Sequence, residues 1–196
     1  MADPKSPQFE KALEPAVAGG SCHLAVLLKT DAELYSVLAS FYALGAKRNG
    51  WLAHRAVPGE ADRDRDRLTT HGLAVAALET EDRLAVVEID PTEPPERYTD
   101  RWEDEMARAL ERGLTGLWYS RFAVGPDEGY YARVVEFESA WESSFHGQAA
   151  VTLCPYVVGE LTGAAAMDRL ASVAEHHDGV LVAGGAENDF TLFSRP

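Results

Sequence analysis

Short β-rich apolar runs alternate along this chain with helical periods of ten or more residues, and turn residues separate them. No internal repeat or low-complexity block interrupts that rhythm. Strands separated by helices of that length can pair in parallel through right-handed crossovers. The predicted class is therefore α/β, a three-layer fold with a mostly parallel sheet flanked by helices. At 196 residues, 46% of them hydrophobic, the chain can bury one substantial core but is short for two.

Residues 1–20 carry Pro4, Pro7 and Pro15 and end in Gly19-Gly20, so they read as a flexible N-terminal arm with a helical turn around residues 9–13. Residues 21–196 are expected to form the single α/β domain. Its first strand is the apolar run 23–28, followed by the helix-start signal Thr30-Asp31-Ala32-Glu33. Leu34, Val37, Leu38, Phe41 and Leu44 then recur at helical spacing, and Gly45 is the expected stop. Residues 51–56 read as a second strand, Pro58-Gly59 as a turn, and 60–71 as a charged helix whose alternating Arg and Asp form a solvated face. A small edge strand is expected at 74–78, a stronger one at 84–89, and a long helix at 96–112 stopped by Gly113.

Residues 117–124 form the next strand, 130–145 the next helix, and 149–154 a strand ended by Pro155. The last helix spans 161–176 and the last buried strand 179–183. Residues 189–193 are an antiparallel edge candidate after Gly184-Gly185. Cys22 precedes its strand and Cys154 ends another, which in parallel strands separates the sulfurs by about six residues, or roughly 20 Å, and argues against a disulfide.

The 32 acidic residues against 18 basic ones give a net charge of −14, a field that repels nucleic acid and anionic membranes. Lys5, Lys11, Lys29 and Lys47 are the only lysines, a skew that high-GC coding or a salt-loving host would produce. No run approaches the roughly 18 apolar residues of a membrane span, and no signal pattern opens the chain, so a cytoplasmic protein is expected.

In an α/β sheet ligands sit beyond the carboxyl ends of the strands. That directs attention to Lys29, Thr30 and Asp31, to residues 57–60, to Asp90, to Ser120 and Arg121, and to Pro155-Tyr156. At the first junction a nucleotide-binding protein would place a glycine-rich loop ending in Lys-Thr or Lys-Ser. Lys29-Thr30 retains the pair, but no glycine lets the backbone wrap a phosphate, and Asp31 and Glu33 would repel one.

Trp118, Tyr119, Phe122, Tyr130, Tyr131, Phe137 and Trp141 crowd one strand-helix unit. They are either core or the lining of a pocket for an apolar or planar ligand, oriented by Ser120 or Arg121. Cys154 stands where an α/β enzyme keeps a nucleophile, yet no base is adjacent in sequence, so a buried packing thiol is the preferred reading. His176-His177 fits a helix C-cap better than a ligand set. His23, His54, His71 and His146 show no i, i+4 pairing, so a metal site would have to be assembled by tertiary structure alone. Glu136, Glu138 and Glu142 could turn a carboxylate toward a pocket, although solvation of a helix is the ordinary role of such residues. No catalytic residue and no metal or cofactor site is assigned.

The strand beginning at His23, its continuation into Thr30-Asp31-Ala32-Glu33, the segment Leu153-Cys154-Pro155-Tyr156, and His177 before the last buried strand resemble the MEDS domain, the methanogen and methylotroph sensory domain. The family-motif positions are His23, Cys154, Tyr156 and His177. The resemblance implies a RecA/KaiC-like core without the Walker A phosphate loop, and a sensory rather than enzymatic role. The expected function is a stand-alone signal-transduction domain that binds a small organic ligand through Lys29, Thr30, Asp31, Trp118, Ser120, Arg121 and Tyr156. With no DNA-binding or kinase segment adjoining the domain, the signal is expected to leave through a regulatory protein partner or a homodimer surface. The alternatives are a degenerate nucleotide-binding protein or weak ATPase, and a ligand-free interaction module.

Overall fold

The computed structural model describes residues 6–88, 90, 93–121, 128–158, 171, 173–183 and 190–194. In chain order they form α1 (Ser6–Leu13), β1 (Cys22–Leu28), α2 (Asp31–Lys47), β2 (Trp51–Ala56), α3 (Ala61–Thr70), α4 (Val75–Thr80) and β3 (Leu84–Glu88). There follow α5 (Pro95–Glu111), β4 (Leu117–Arg121), α6 (Glu128–Phe145), β5 (Ala150–Val157), β6 (Gly179–Ala183) and β7 (Phe190–Ser194). One seven-stranded sheet runs in the order β3-β2-β4-β5-β1-β6-β7. Its pairs are parallel except β6 with β7, which is antiparallel at the edge as the sequence predicts. No described helix is long and apolar enough to cross a membrane.

The central strands are buried on both faces, which is why β1 reads as an unbroken apolar run rather than an alternation. Leu24, Val26 and Leu28 face a core shared with α1 to α4, whereas Ala25 and Leu27 face the opposite layer with Val134 of α6. Tyr98, Trp102 and Met106 of α5 join Trp141 and Phe145 of α6 over β2 and β4 in that second layer.

Several expectations change. The N-terminal segment is not a free arm over its described part: Phe9, Leu13 and Val17 are buried, and Phe9 packs edge-on to Phe190 at 5.2 Å. Burying three large apolar groups against α2 and β7 offsets the entropy of ordering the segment. Gly45 lies inside α2 rather than ending it, because a Cβ there would stand 2.7 Å from the Trp118 ring. Residues 75–80 are a short helix, with Val75 and Leu78 packed inward at i, i+3, so the edge strand expected at 74–78 is replaced.

Strand β5 continues through Pro155 to Val157. The Val158 amide donates toward β1 at Leu28, so by alternation the missing amide of Pro155 falls on the β4 side, beyond the last described β4 pair at Leu153. Cys22 and Cys154 lie on neighbouring strands three registers apart, closer than expected; opposite faces of the sheet keep their thiols apart. Most of the helix expected at 161–176, the glycine pair at 184–185 and the strand continuation at 122–124 lie outside the described residues.

Candidate functional site

The residues expected at one ligand site are divided by the sheet. Trp118 faces α2, closed in by Phe41, Gly45 and Gly50, and packs in the core on the face away from Arg121 and Tyr156. Ser120 shares that face, is fully buried, and donates to the Leu153 carbonyl at 2.7 Å. Lys29 and Thr30 are exposed. The Lys29 amide donates to the Glu33 carboxylate at 2.9 Å, which puts negative charge where a phosphate would have to sit. Nothing is described of the Asp31 side chain.

Arg121 and Tyr156 point the other way, into a buried polar cluster beneath α6. All four family-motif positions, His23, Cys154, Tyr156 and His177, converge there on Glu138. Glu138 Oε1 accepts from Arg121 at 2.5 Å and from Tyr156 at 2.8 Å. Its other oxygen, Oε2, stands 3.0 Å from His23 Nε2, 3.5 Å from Cys154 Sγ and 3.6 Å from His177 Nε2. His23 Nε2 is also 3.4 Å from Cys154 Sγ, and the two imidazoles lie 4.1 Å apart at a tilt of 37°.

Local structure explains each placement. In α6, Val134, Glu138, Trp141 and Phe145 occupy the inward row at i, i+4, i+7 and i+11, so Glu138 sits in an apolar stripe. That position was the signal available in the sequence, because Glu136 faces outward and Glu142 lies at the rim. His23 and Cys154 belong to paired strands and share a face. His177 follows the last helical residues and donates from Nδ1 to the Val173 carbonyl at 2.6 Å, the expected C-cap contact. Asp178 closes the start of β1: its carboxylate accepts from the His23 amide and its own amide donates to the His23 carbonyl.

Burial pushes the Glu138 carboxyl up, but Arg121 together with His177 and His23 outweighs it and holds the group well below its ordinary range. Burial raises the Cys154 thiol, and the Glu138 charge raises it further. His177 is pushed down to about 3 by burial and by the neighbouring His23. Burial opposes charge on His23 as well, yet Cys154, Glu138 and Glu142 together carry it well above the usual imidazole range.

His23 also borders a cleft of about 410 Å³ at the amino ends of the strands, with Trp141, Glu142, Phe145 and Thr152 among its walls. Its Nδ1 stands 3.5 Å from Glu142 on that side. The aromatic crowd divides accordingly. Tyr119 and Trp141 stack at 4.3 Å as core with Tyr98 and Trp102, and Trp141 stacks on Phe145 at 4.2 Å beside the cleft. The side chains of Phe122, Tyr130 and Tyr131 lie outside the described residues.

The model of the MEDS family, the methanogen/methylotroph, DcmR sensory domain, matches residues 22–177. Among solved structures, the chain is similar to an uncharacterized protein, PH0321 from Pyrococcus horikoshii, crystallised in complex with an unknown peptide. The TM-score is 0.60 at 15% identity, over 95% of this chain and 90% of that one, a likeness of fold. No curated protein matches.

Proposed function

The chain belongs to the MEDS family of sensory domains, and from that membership we propose that it takes a small organic ligand in the cleft beside His23 and reports through a protein partner. The observation that carries this reading is the position of His23. One ring nitrogen faces Glu142 at the cleft, and the other touches Glu138 and Cys154 in the buried cluster. A ligand that engages Glu142 would alter the charge felt by His23, and the tight packing around the cluster would pass the change to β1 and β5. Stacked Trp141 and Phe145 supply apolar area for such a ligand.

A RecA/KaiC-like core that has given up its phosphate loop is part of this proposal. The mostly parallel sheet and the glycine-free turn at Lys29-Thr30 support it. The test is a thermal-shift series with small apolar and aromatic compounds beside ATP with Mg²⁺, since a ligand bound to the native state raises apparent stability by mass action. A shift with organic compounds that shrinks in Glu142→Gln is expected. A shift with ATP alone would move the reading to a nucleotide-binding protein, and silence across the series would remove the ligand altogether.

A further inference from the structure

We propose that His23, Glu138, Cys154 and His177 form a binding site for one divalent transition-metal ion of the zinc class, through Nε2, Oε2, Sγ and Nε2 respectively. The four donor atoms all lie within 4.8 Å of one another. Four of their separations are 3.0, 3.4, 3.5 and 3.6 Å. Bonds of about 2.0–2.3 Å in a tetrahedron place donors about 3.3–3.7 Å apart, so the cluster is close to the size that such an ion requires.

The unpaired nitrogen of His177 is the second, independent observation. Its Nδ1 proton is committed to the Val173 carbonyl, which leaves a lone pair on Nε2. That atom is buried without a hydrogen-bond partner among the described residues and faces a carboxylate oxygen 3.6 Å away. Two acceptors facing each other in a buried site cost free energy unless a cation or a proton lies between them.

The outer atoms of the same groups point to the same conclusion. Metal-ligating side chains are oriented by partners on their far side. Here the far nitrogen of His177 is held by a carbonyl, that of His23 stands beside Glu142, and the far oxygen of Glu138 is fixed by Arg121 and Tyr156. One sulfur and two imidazoles favour a borderline or soft ion over Mg²⁺ or Ca²⁺, and four protein donors make a closed site. On binding, Cys154 coordinates as the thiolate and its proton leaves to water. The cleft along His23 offers a way in.

Closure has a structural consequence. The imidazoles must splay from their present 4.1 Å separation for both lone pairs to reach one ion. His23 lies in β1 and His177 just before β6, two strands that pair directly. Occupancy would thus be felt in the middle of the sheet.

The experiment uses the full chain, purified without a polyhistidine tag, stripped with chelator and titrated with Co²⁺. One equivalent is expected to produce a thiolate-to-cobalt charge-transfer band together with the intense visible bands of a tetrahedral ion. Cys154→Ser should abolish the charge-transfer band, His177→Gln should weaken binding by about tenfold or more, and Cys22→Ala should change neither. A wild-type spectrum without thiolate absorption, or a thiolate band that survives in Cys154→Ser, overturns the proposal. The wild-type spectrum alone decides the matter should a variant fail to fold. None of these readouts involves an organic ligand, so the ligand reading can fail while the metal site stands, and the reverse.

Discussion

Each face of the sheet buries a histidine against a carboxylate, and the two arrangements end differently. Beneath α2 and α3, His54 donates from Nε2 to Asp64 at 3.0 Å, its Nδ1 lies 3.1 Å from the Tyr42 hydroxyl, and Tyr35 donates to the other Asp64 oxygen at 2.5 Å. Tyr42 in turn reaches the Ala53 carbonyl at 3.0 Å. Every ring nitrogen and carboxylate oxygen there has a neighbour to bond. Beneath α6, one oxygen of Glu138 is equally well held, but the other faces a sulfur and two imidazoles, and the inward nitrogen of His177 has no hydrogen-bond partner among the described residues. A closed network fixes helices on a sheet, whereas an open one keeps bonding capacity for something else.

The largest effect should come from removing the cation that makes Glu138 tolerable. Arg121→Met leaves a buried carboxylate without its strongest partner, and breaking a buried pair in this way costs about 3–5 kcal/mol. Chemical denaturation measures it. A loss below about 1 kcal/mol would mean that His23 alone neutralises Glu138, and would weaken the contrast between the two networks.

The closed network should respond more modestly and only to acid. Burial works against the Asp64 charge, but the bonds from His54 and Tyr35 prevail and lower its pKa below the ordinary 3.8. In the unfolded chain the group takes up a proton first. Its contribution is therefore fully present above the ordinary carboxylate value and is lost as pH falls through the lower folded value. Asp64→Asn should cost about 2–3 kcal/mol near neutrality, with the gap from wild type narrowing below about pH 4. The Co²⁺ spectrum should not change. A gap that stays constant with pH would show that Asp64 acts through shape rather than charge.

Much of the fold was legible because helical and strand periods are local properties. The departures have tertiary causes. Gly45 reads as a helix stop until Trp118 is known to lie against it, and Pro155 reads as a strand end until its missing amide is known to fall on the side away from β1. The site was legible in parts only. His23, Cys154 and His177 are 131 residues apart at the first step, and parallel pairing of β1 with β5 is what unites them. Glu138 looked like surface charge, although its place between Val134 and Trp141 in an inward row marked it. Asp64 carried no such mark beyond its spacing from Leu68, since the run around it alternates Arg and Asp on every side.

The smallest effect should come from the carboxyl end of β1, where the turn at Lys29 resembles a phosphate site in residue type but not in backbone. Lys29 is exposed, and its amide is already bonded to Glu33. Lys29→Ala keeps that amide, so stability should stay within about 0.5 kcal/mol of wild type, and any thermal shift with organic compounds should persist unchanged. Glu33→Gln is the sharper companion, because it removes the charge from the amide while preserving an acceptor for it. A nucleotide-dependent shift that emerges in Glu33→Gln and disappears when Lys29→Ala is added would mean that the phosphate site is blocked rather than lost. In that event the turn after β1 would be the site held in reserve, and the contrast between closed and open networks would have to be drawn between the two ends of the sheet as well as between its faces.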